Sequence, residues 1–416
     1  MRRLRTTLAA GVVAAAIVPV WASPAHADHE APCSITELPD SERLADTHEK
    51  NNPAFDRMHV EQAQEVATGK GVKIAVIDSG VASTEALTPY GGLAIAGASP
   101  SVLMSGHGTI VANLIAGKHG VAPDAQVFDV KVFDVDGAET AQGEKRLTSA
   151  GIVAGIDAVI DANRREKFDV VNISLAVQTS DHDLEAAVAR LVAQDLVVVA
   201  SSGNKEEGDA SADDDFKGTP GNDAAVYPAD YPGVLAVSAT PADGSDPAQY
   251  VKPNLDTDVA APTAGAISVN ASGQVCVVPQ VATSWAAAEV SGLLALLSER
   301  FPRETPRQLV ARLEATTEGG GATQPSEEDD PAEVEVNPWT GNGVVQAHDA
   351  LTREIKPGRQ GKVETTMREV RADAQAPPAP ERVDLFGTPR AILLWSGLVA
   401  GSLLALAFML RPLLRR

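Results

Sequence analysis

Between residues 72 and 351, short apolar runs alternate with amphipathic helical segments, and this alternation restricts the fold more than any other feature. Five runs fit short buried strands: residues 72–77, 127–132, 170–175, 196–200 and 234–237. Between them, apolar residues such as Ile152, Ile156 and Val159 follow helical spacing. Strands that are apolar on both faces belong to parallel sheets covered by helices on both sides. We therefore predict an α/β domain built on a parallel sheet.

Polar residues that end an apolar run are candidate functional residues, because the active sites of open parallel sheets lie at the carboxyl ends of the strands. Asp78 ends the first run, and Asn204 follows the fourth. His107 lies between two glycines and Ser284 follows a threonine, each at the start of a helical segment. Taken singly, each residue type is most often a turn or cap residue. Their joint occurrence indicates a catalytic site.

Peptide hydrolysis by a serine requires these four residue types together. A serine hydroxyl needs an imidazole to take its proton, and the imidazole needs a buried carboxylate that fixes its tautomer. The tetrahedral oxyanion needs fixed donors, which an amide side chain and a backbone N–H can supply. We predict Ser284 as nucleophile, His107 as general base and then acid, and Asp78 as the orienting carboxylate. Asn204 and the backbone N–H of Ser284 would form the oxyanion hole.

The order Asp, His, Ser along a parallel α/β chain is the order of subtilisin-type enzymes. Further segments match that family, namely residues 120–123, 172–175, 227–232, 258–262 and 341–347. From about Gly71 to Leu351, the sequence resembles the subtilisin-like serine proteases. The resemblance implies a subtilisin-like sheet with helices on both faces. It also implies that Ser174, Leu175 and Ala176 form the substrate-binding strand and a wall of the first specificity pocket.

Three positions depart from the usual pattern of that family. Ala282 stands where glycine usually precedes the Thr-Ser pair, so its methyl group is expected to shift Ser284 or narrow the pocket. Ala288 replaces a proline, which helix propensity tolerates. Ala176 replaces a glycine and is expected to alter the pocket wall. These changes bear on rate and specificity more than on the type of reaction.

The two ends of the chain predict a secreted domain tethered to a membrane. Residues 1–27 have the charged start, apolar stretch and small-residue cleavage site of a signal peptide. Residues 391–410 form an uncharged run long enough to cross a bilayer, and the arginines after it place the C-terminus in the cytoplasm. A buried helix of a soluble fold is the alternative at each end. The polar, proline-containing residues between the globular part and this run indicate an extended stalk.

The predicted organisation follows from these segments. It comprises a signal peptide (1–27), an N-terminal extension (28–65), a subtilisin-like peptidase domain (66–352), a Pro-rich linker (353–388), a transmembrane helix (389–411) and a cytoplasmic tail (412–416). The extension is too short for a folded inhibitory prodomain, so we expect it to wrap the catalytic domain. The same organisation resembles the mycosins, the membrane-anchored subtilases of actinobacterial type VII secretion systems.

The mycosin resemblance implies an extracytoplasmic endopeptidase in the cell membrane that processes exported proteins and associates with the type VII secretion membrane complex. The alternative is a scaffold that stabilises this complex without needing catalysis.

The chain has 34 Lys+Arg against 56 Asp+Glu and a formal net charge of −22. This balance argues against a nucleic-acid partner, because such proteins normally present a basic face.

The two cysteines of the chain predict a disulfide. Cys33 and Cys276 are the cysteines of the chain, and a disulfide between them can persist outside the cytoplasm. Two unpaired thiols are the alternative.

The acidic stretches at 213–215 and 327–330 could hold calcium, which prefers carboxylates, but such runs are more often solvated. We predict no cofactor and no metal, with calcium as the alternative. The alternative for the first stretch is that it borders the substrate cleft and selects basic or extended partners.

Overall fold

The computed structural model describes residues 33, 52–95, 103–135, 144–205, 225–318, 337–363 and 387–411. They belong to two units, one within residues 1–364 and one within residues 365–416. Several predicted features lie outside the described residues: the signal peptide, both acidic stretches, most of the Pro-rich linker and the cytoplasmic tail.

A parallel sheet forms the centre of the first unit, as the alternation of apolar runs predicts. Its strands are β1 (Lys73–Asp78), β2 (Gly91–Ala94), β3 (Gln126–Lys131), β4 (Val170–Ile173), β5 (Val197–Ser201), β6 (Val234–Thr240) and β7 (Val259–Pro262). Among the described residues, seven strands pair in the order β2-β3-β1-β4-β5-β6-β7, with every pair parallel. A separate antiparallel hairpin joins β8 (Ile267–Val269) to β9 (Val275–Val277).

Helices cover both faces of the sheet. In the first unit they are α1 (Pro53–Met58), α2 (Val60–Gln64), α3 (His107–Ile115), α4 (Ser149–Glu166), α5 (His182–Val192), α6 (Thr283–Arg300), α7 (Pro306–Glu314) and α8 (Ala347–Thr352). Helices α3 and α6 share one apolar core with one face of the sheet, and α4 and α5 share a second core with the opposite face. The predicted subtilisin-like class is therefore confirmed.

Helix α6 occupies the middle of its layer, where it packs against β4 to β7 and against α3. A helix surrounded on all sides is apolar all round, and α6 is buried continuously from Thr283 to Leu297. A side chain at Gly292 would approach Ile115 O to 2.8 Å, so this glycine lets α6 lie close to the end of α3. The close packing fixes the start of α6 relative to the sheet.

The N-terminal extension is attached to the first unit at several places. Helix α1 packs on β7, and α2 packs on α8. Gln64 Nε2 donates to the carbonyl oxygens of Gly120 and Val121, each at 3.0 Å. The backbone N–H of Cys33 donates to Val277 O in β9. The predicted disulfide between Cys33 and Cys276 is present, and it links positions separated by 243 residues.

We expect Cys276→Ser to lower the free energy of unfolding by about 2–4 kcal/mol, because the disulfide closes a long loop and restricts the unfolded chain. Urea unfolding of the full chain measures this loss. Cys33→Ser is the matched variant, and the double variant should lose no more than either single variant, since all three lack the same bond. Losses that add up in the double variant would contradict the account.

The start of the predicted linker lies against α7. Arg312, which forms an ion pair with Glu304, also donates from Nη2 to Ile355 O at 2.9 Å. Gln308 Nε2 donates to Pro357 O at 2.7 Å. Residues 353–363 are therefore held on the surface of the first unit before the chain continues beyond the described residues.

The second unit contains helix α9 (Gly387–Leu410). Within the described ranges, its residues Arg390–Leu410 form the one helix long and apolar enough to cross a membrane, with a mean hydropathy of 2.1. Its apolar side chains are exposed, for example Leu393 at 73% and Met409 at 76%. Exposure of an all-round apolar helix is typical of a segment whose natural environment is lipid.

Candidate active site

Asp78 and His107 lie in direct contact at the carboxyl end of the sheet. The Nδ1 atom of His107 is 2.9 Å from Asp78 Oδ1 and 3.0 Å from Asp78 Oδ2. Asp78 is fully buried as the last residue of β1, and the backbone N–H of Ser79 donates to its Oδ1 at 2.7 Å. A carboxylate placed in this way fixes the imidazole tautomer that carries its proton on Nδ1, which leaves Nε2 as a base.

The start of α3 is fitted closely to the end of β1, and this fit positions His107. A Cβ atom at Gly108 would lie 2.6 Å from Gly80 O and 3.0 Å from Asp78 Oδ1, so the site requires glycine there. The N–H of Gly108 donates to Ser79 Oγ at 3.0 Å, and Ser79 Oγ donates to Ser105 O at 3.3 Å. The glycine after His107 therefore has a packing role that the sequence pattern did not reveal.

Buried charges surround the end of β1. Lys131, the register neighbour of Asp78 on β3, forms a 2.8 Å ion pair with Asp134, and both side chains are almost completely buried. The pKa of Asp129 is raised to about 7, mainly by burial and in part by the nearby charge of Asp78, although the backbone N–H of Val81 and the charge of Lys131 oppose the rise. Asp78 thus lies in a desolvated environment, where its interaction with a protonated His107 is stronger than in water.

Ser284 is the second residue of α6 and lines the same cleft as His107. The residue after it, Trp285, packs on the imidazole of His107 with ring centroids 4.8 Å apart. Ser174 Oγ donates to Ser284 O at 2.8 Å and so ties the first turn of α6 to the residue after β4. The site therefore brings together Asp78, His107 and Ser284, which come from separate segments of the sequence.

Ala282 fits the turn before Ser284 without strain. It occupies the N-cap position of α6. Its φ of −151° and ψ of 140° correspond to an extended backbone conformation that any residue can adopt. Its backbone N–H donates to Thr263 Oγ1 at 3.2 Å. Ala288, which replaces the proline of the family pattern, lies fully buried within α6. The effect of the Ala282 methyl group on the position of Ser284 and on the width of the pocket stays a prediction.

Asn204 lies beside the start of α6 with its amide oxygen already in use. Asn204 Oδ1 accepts hydrogen bonds from Thr283 N at 2.8 Å and from Thr283 Oγ1 at 3.1 Å. With Oδ1 used in this way, the NH₂ group of Asn204 remains to act as a donor, and Asn204 and Ser284 line the same cleft. Two such donors can stabilise the charge of an oxyanion.

The cleft has a volume of about 350 Å³, and Ser174, Leu175 and Ala176 form one wall of it. A hydrogen-bonded network holds this wall in place. Asn172 Nδ2 donates to Ser174 Oγ at 2.9 Å, and Ser291 Oγ on α6 donates to Asn172 Oδ1 at 3.0 Å. Asn172 and Ser291 support the wall from behind, and the sequence pattern did not identify Ser291.

Within the described ranges, no group of three or more His, Cys, Asp or Glu side chains could hold a metal ion. The two acidic stretches considered for calcium lie outside these ranges.

Glu289 is a buried carboxyl group on the helix that carries Ser284. It is 0% exposed, and neither of its oxygen atoms has a hydrogen-bond partner among the described residues. Burial raises its pKa well above the ordinary value of a glutamate. Such an environment favours the protonated, neutral form of a carboxyl group, because ionisation in an apolar interior is unfavourable.

We expect Glu289→Gln to weaken the dependence of stability on pH. The unfolded chain releases the Glu289 proton near its ordinary pKa, whereas the folded chain keeps it to higher pH. The free energy of unfolding therefore falls as pH rises above the unfolded pKa, by about 1.4 kcal/mol per pH unit for one proton. Urea unfolding between pH 5 and pH 8 measures this slope. Glu185→Gln, at an exposed position on α5, is the control and should leave the slope unchanged. An equal slope in wild type and Glu289→Gln would contradict the account.

Known proteins resemble this chain in sequence and in fold. The sequence matches the subtilase family, peptidase S8, over residues 69–343. It is 31% identical over 338 residues to Mycosin-1 of Mycobacterium tuberculosis, covering 72% of each chain. It is 34% identical over 285 residues to the minor extracellular protease Epr of Bacillus subtilis, covering 65% of this chain. The aligned region spans only 39% of the length of Epr.

A solved structure with this fold is that of the serine protease MycP1, an essential component of the type VII (ESX-1) secretion system. It is 27% identical, with a TM-score of 0.60, and the comparison covers 77% of this chain and 92% of MycP1. The family match extends over more than half of the chain and includes Asp78, His107, Asn204 and Ser284. This chain belongs to the subtilase family, peptidase S8.

Proposed function

We propose that this chain is a mycosin-type serine endopeptidase that acts through Asp78, His107 and Ser284. The observation that carries the proposal is the pair of contacts from His107 Nδ1 to both carboxylate oxygens of Asp78, at the cleft that Ser284 lines. This pairing leaves Nε2 of His107 to receive the Ser284 hydroxyl proton as Oγ attacks the scissile carbonyl. Breakdown of the tetrahedral intermediate then transfers that proton to the leaving amine, and an acyl group remains on Ser284.

Asn204 and the backbone N–H of Ser284 would stabilise the oxyanion of the tetrahedral intermediate. We expect Asn204→Ala to lower kcat by about 10²–10³-fold with a smaller effect on KM, because this donor acts mainly in the transition state. Peptide hydrolysis assays measure both constants. Asn204→Asp keeps the oxygen that accepts from Thr283 but loses the amide donor. Retained activity in Asn204→Asp would contradict the oxyanion role.

We further propose that α9 anchors the protein in the cell membrane, with the catalytic unit outside and the last residues in the cytoplasm. The apolar segment Arg390–Leu410 and the arginines that follow it support this orientation. Protease added to intact cells should digest the catalytic unit and leave a C-terminal tag protected. Digestion of that tag in intact cells would refute the orientation.

The similarity to Mycosin-1 and MycP1 supports association with a type VII secretion membrane complex, with exported proteins as substrates. Comparison of the N-termini of secreted proteins from wild-type and Ser284→Ala cells tests this function. Termini present only in the wild type would identify cleavage sites, and identical sets would refute processing. Intact secretion in the Ser284→Ala strain, together with lost secretion in a deletion strain, would reveal a scaffold role that does not need catalysis.

A further inference from the structure

Val226 is a buried valine that lines the cleft beside Ser284. The strands β4 and β5 are neighbours in the sheet, and residues that follow β4 and residues at the end of β5 line the same cleft. A substrate whose carbonyl carbon is attacked by Ser284 brings the side chain of that same residue into this cleft. The cleft therefore contacts the substrate residue immediately before the scissile bond.

The Val226 side chain packs directly against the backbone of Gly203, the residue before Asn204. A Cβ atom built on Gly203 would lie 3.0 Å and 3.3 Å from the two methyl carbons of Val226. Both distances are shorter than an ordinary contact between carbon atoms, so not even a methyl group fits between Gly203 and Val226 without displacing atoms. Val226 is 2% exposed. Its methyl groups thus fill the space behind Gly203.

Hydrogen bonds fix the backbone that carries Val226. The N–H of Val226 donates to Asp230 Oδ2 at 2.9 Å, and Asn254 Nδ2 donates to Asp230 Oδ1 at 2.7 Å. The same amide group of Asn254 donates to Ser202 O at 3.3 Å, and Asn254 is fully buried. Asn254 therefore links the segment that carries Val226 to the residue after β5.

The same segment is also joined to the opposite wall of the cleft. Tyr227, the residue after Val226, forms an antiparallel bridge with Val177. The N–H of Val177 donates to Tyr227 O at 2.8 Å, and the N–H of Tyr227 donates to Val177 O at 2.9 Å. Val177 directly follows the Ser174–Ala176 wall. The wall and the Val226 segment are therefore held together, which opposes widening of the cleft.

A cleft with fixed walls distinguishes substrates by the volume of the side chain that enters it. A side chain that is too large has to displace packed atoms, and overpacking of this kind is unfavourable. The methyl group of alanine is short enough to avoid the methyl groups of Val226. A branched or aromatic side chain that extends along the wall at Gly203 would meet them.

We propose that Val226 determines specificity by restricting the substrate residue immediately before the scissile bond to a small side chain, such as that of alanine. The inference rests on the proposed function, since it requires Ser284 to act as nucleophile. It concerns the volume of the substrate side chain, whereas the expectation for the acidic stretch at 213–215 concerns substrate charge.

Fluorogenic peptides that differ only at the residue before the scissile bond test the proposal with the full-length protein in detergent. We expect kcat/KM for alanine to exceed that for leucine and that for phenylalanine by about 10-fold to 100-fold. Val226→Ala should raise kcat/KM for leucine by about 10-fold, and Val226→Gly should do the same for phenylalanine. Both variants should change kcat/KM for alanine by less than about 3-fold.

Val188→Ala is the matched control for Val226→Ala. Val188 is a fully buried valine of α5 that belongs to the same apolar core as Val226, and it is not among the described residues that line the cleft. Its replacement removes the same two methyl carbons from that core, so it controls for a loss of stability. We expect Val188→Ala to keep the wild-type preference for alanine. An equal gain for leucine in both variants would overturn the inference.

A fluorophosphonate probe applied to the same preparations separates the two proposals. A wild type that reacts with the probe but cleaves the leucine or phenylalanine peptide as well as the alanine peptide overturns the role of Val226 alone. A wild type that fails to react with the probe at Ser284 overturns the proposed function. An unchanged preference in folded Val226→Ala and Val226→Gly also overturns the inference.

Val226→Ile decides the question if neither smaller variant folds. Its additional carbon atom should reduce the space left for the substrate, and so lower kcat/KM for alanine relative to that for glycine. An unchanged ratio of these two constants would overturn the inference.

Discussion

Replacement of Ser284 by alanine is expected to lower kcat/KM for peptide hydrolysis by about 10⁴-fold or more. The reason is that Ser284 Oγ is the atom that forms the bond to the substrate, so His107 and Asp78 have no nucleophile left to activate. Effects of this size are typical when one member of such a catalytic unit is removed, and the residual rate comes from binding and oxyanion stabilisation. Steady-state hydrolysis of a peptide substrate by the purified full-length protein measures the loss.

Ser298→Ala provides the matched control for that variant. Ser298 lies on the same helix, near the end opposite Ser284. We expect Ser298→Ala to keep the wild-type rate within a few-fold, and both variants to keep the wild-type melting temperature. Substantial residual activity in Ser284→Ala would show that another group performs the attack.

The second large effect is expected from Asp78→Asn, which should lower kcat by about 10⁴-fold while preserving the fold. Asparagine has the shape of aspartate, and its oxygen can still accept the hydrogen bond from Ser79 N. Its amide NH₂ group, however, favours an acceptor nitrogen at His107 Nδ1, which reverses the tautomer and removes the base from Nε2. The imidazolium formed during the reaction would also lose its carboxylate partner.

Asp169→Asn is the control for this change, because Asp169 also accepts a backbone N–H of β1, that of Lys73, at 2.9 Å. Lys73 is the first residue of β1 and Asp78 is the last. Asp169 therefore lies at the amino-terminal end of β1, whereas the cleft lies at its carboxyl end. We expect Asp169→Asn to retain activity. Equal losses in both variants would point to general destabilisation rather than to a defect in the catalytic unit.

The fold class could be predicted because buried parallel strands produce apolar runs that stand out in the sequence. The strands β1, β3, β4, β5 and β6 lie within a few residues of the predicted runs. The edge strands were not predicted. β2 contains two glycines and is largely exposed, and β7 has four residues and ends at Pro262, so neither produces a clear apolar run.

The candidate site was predictable where the chemistry requires particular residue types, and less so where packing decides. Asp78 and His107 could be named from the sequence, and the structure places them in contact. Glu289 and Lys252 could not be named from the sequence. Nothing in the sequence around them shows that the Glu289 side chain is fully buried or that Lys252 lines the cleft. Such proximity arises from tertiary contacts between distant segments. Helix propensity and hydrophobic periodicity do not encode it.

Identification of the residue modified by a fluorophosphonate tests the catalytic unit most directly. The full-length protein would be treated with the probe, digested and analysed by tandem mass spectrometry. We predict a single adduct on Ser284 in the wild type, and little or no adduct in Asp78→Asn, His107→Ala or Ser284→Ala. An adduct on another residue, or equal labelling of Ser284 when His107 is absent, would contradict the activation of Ser284 by His107 and Asp78.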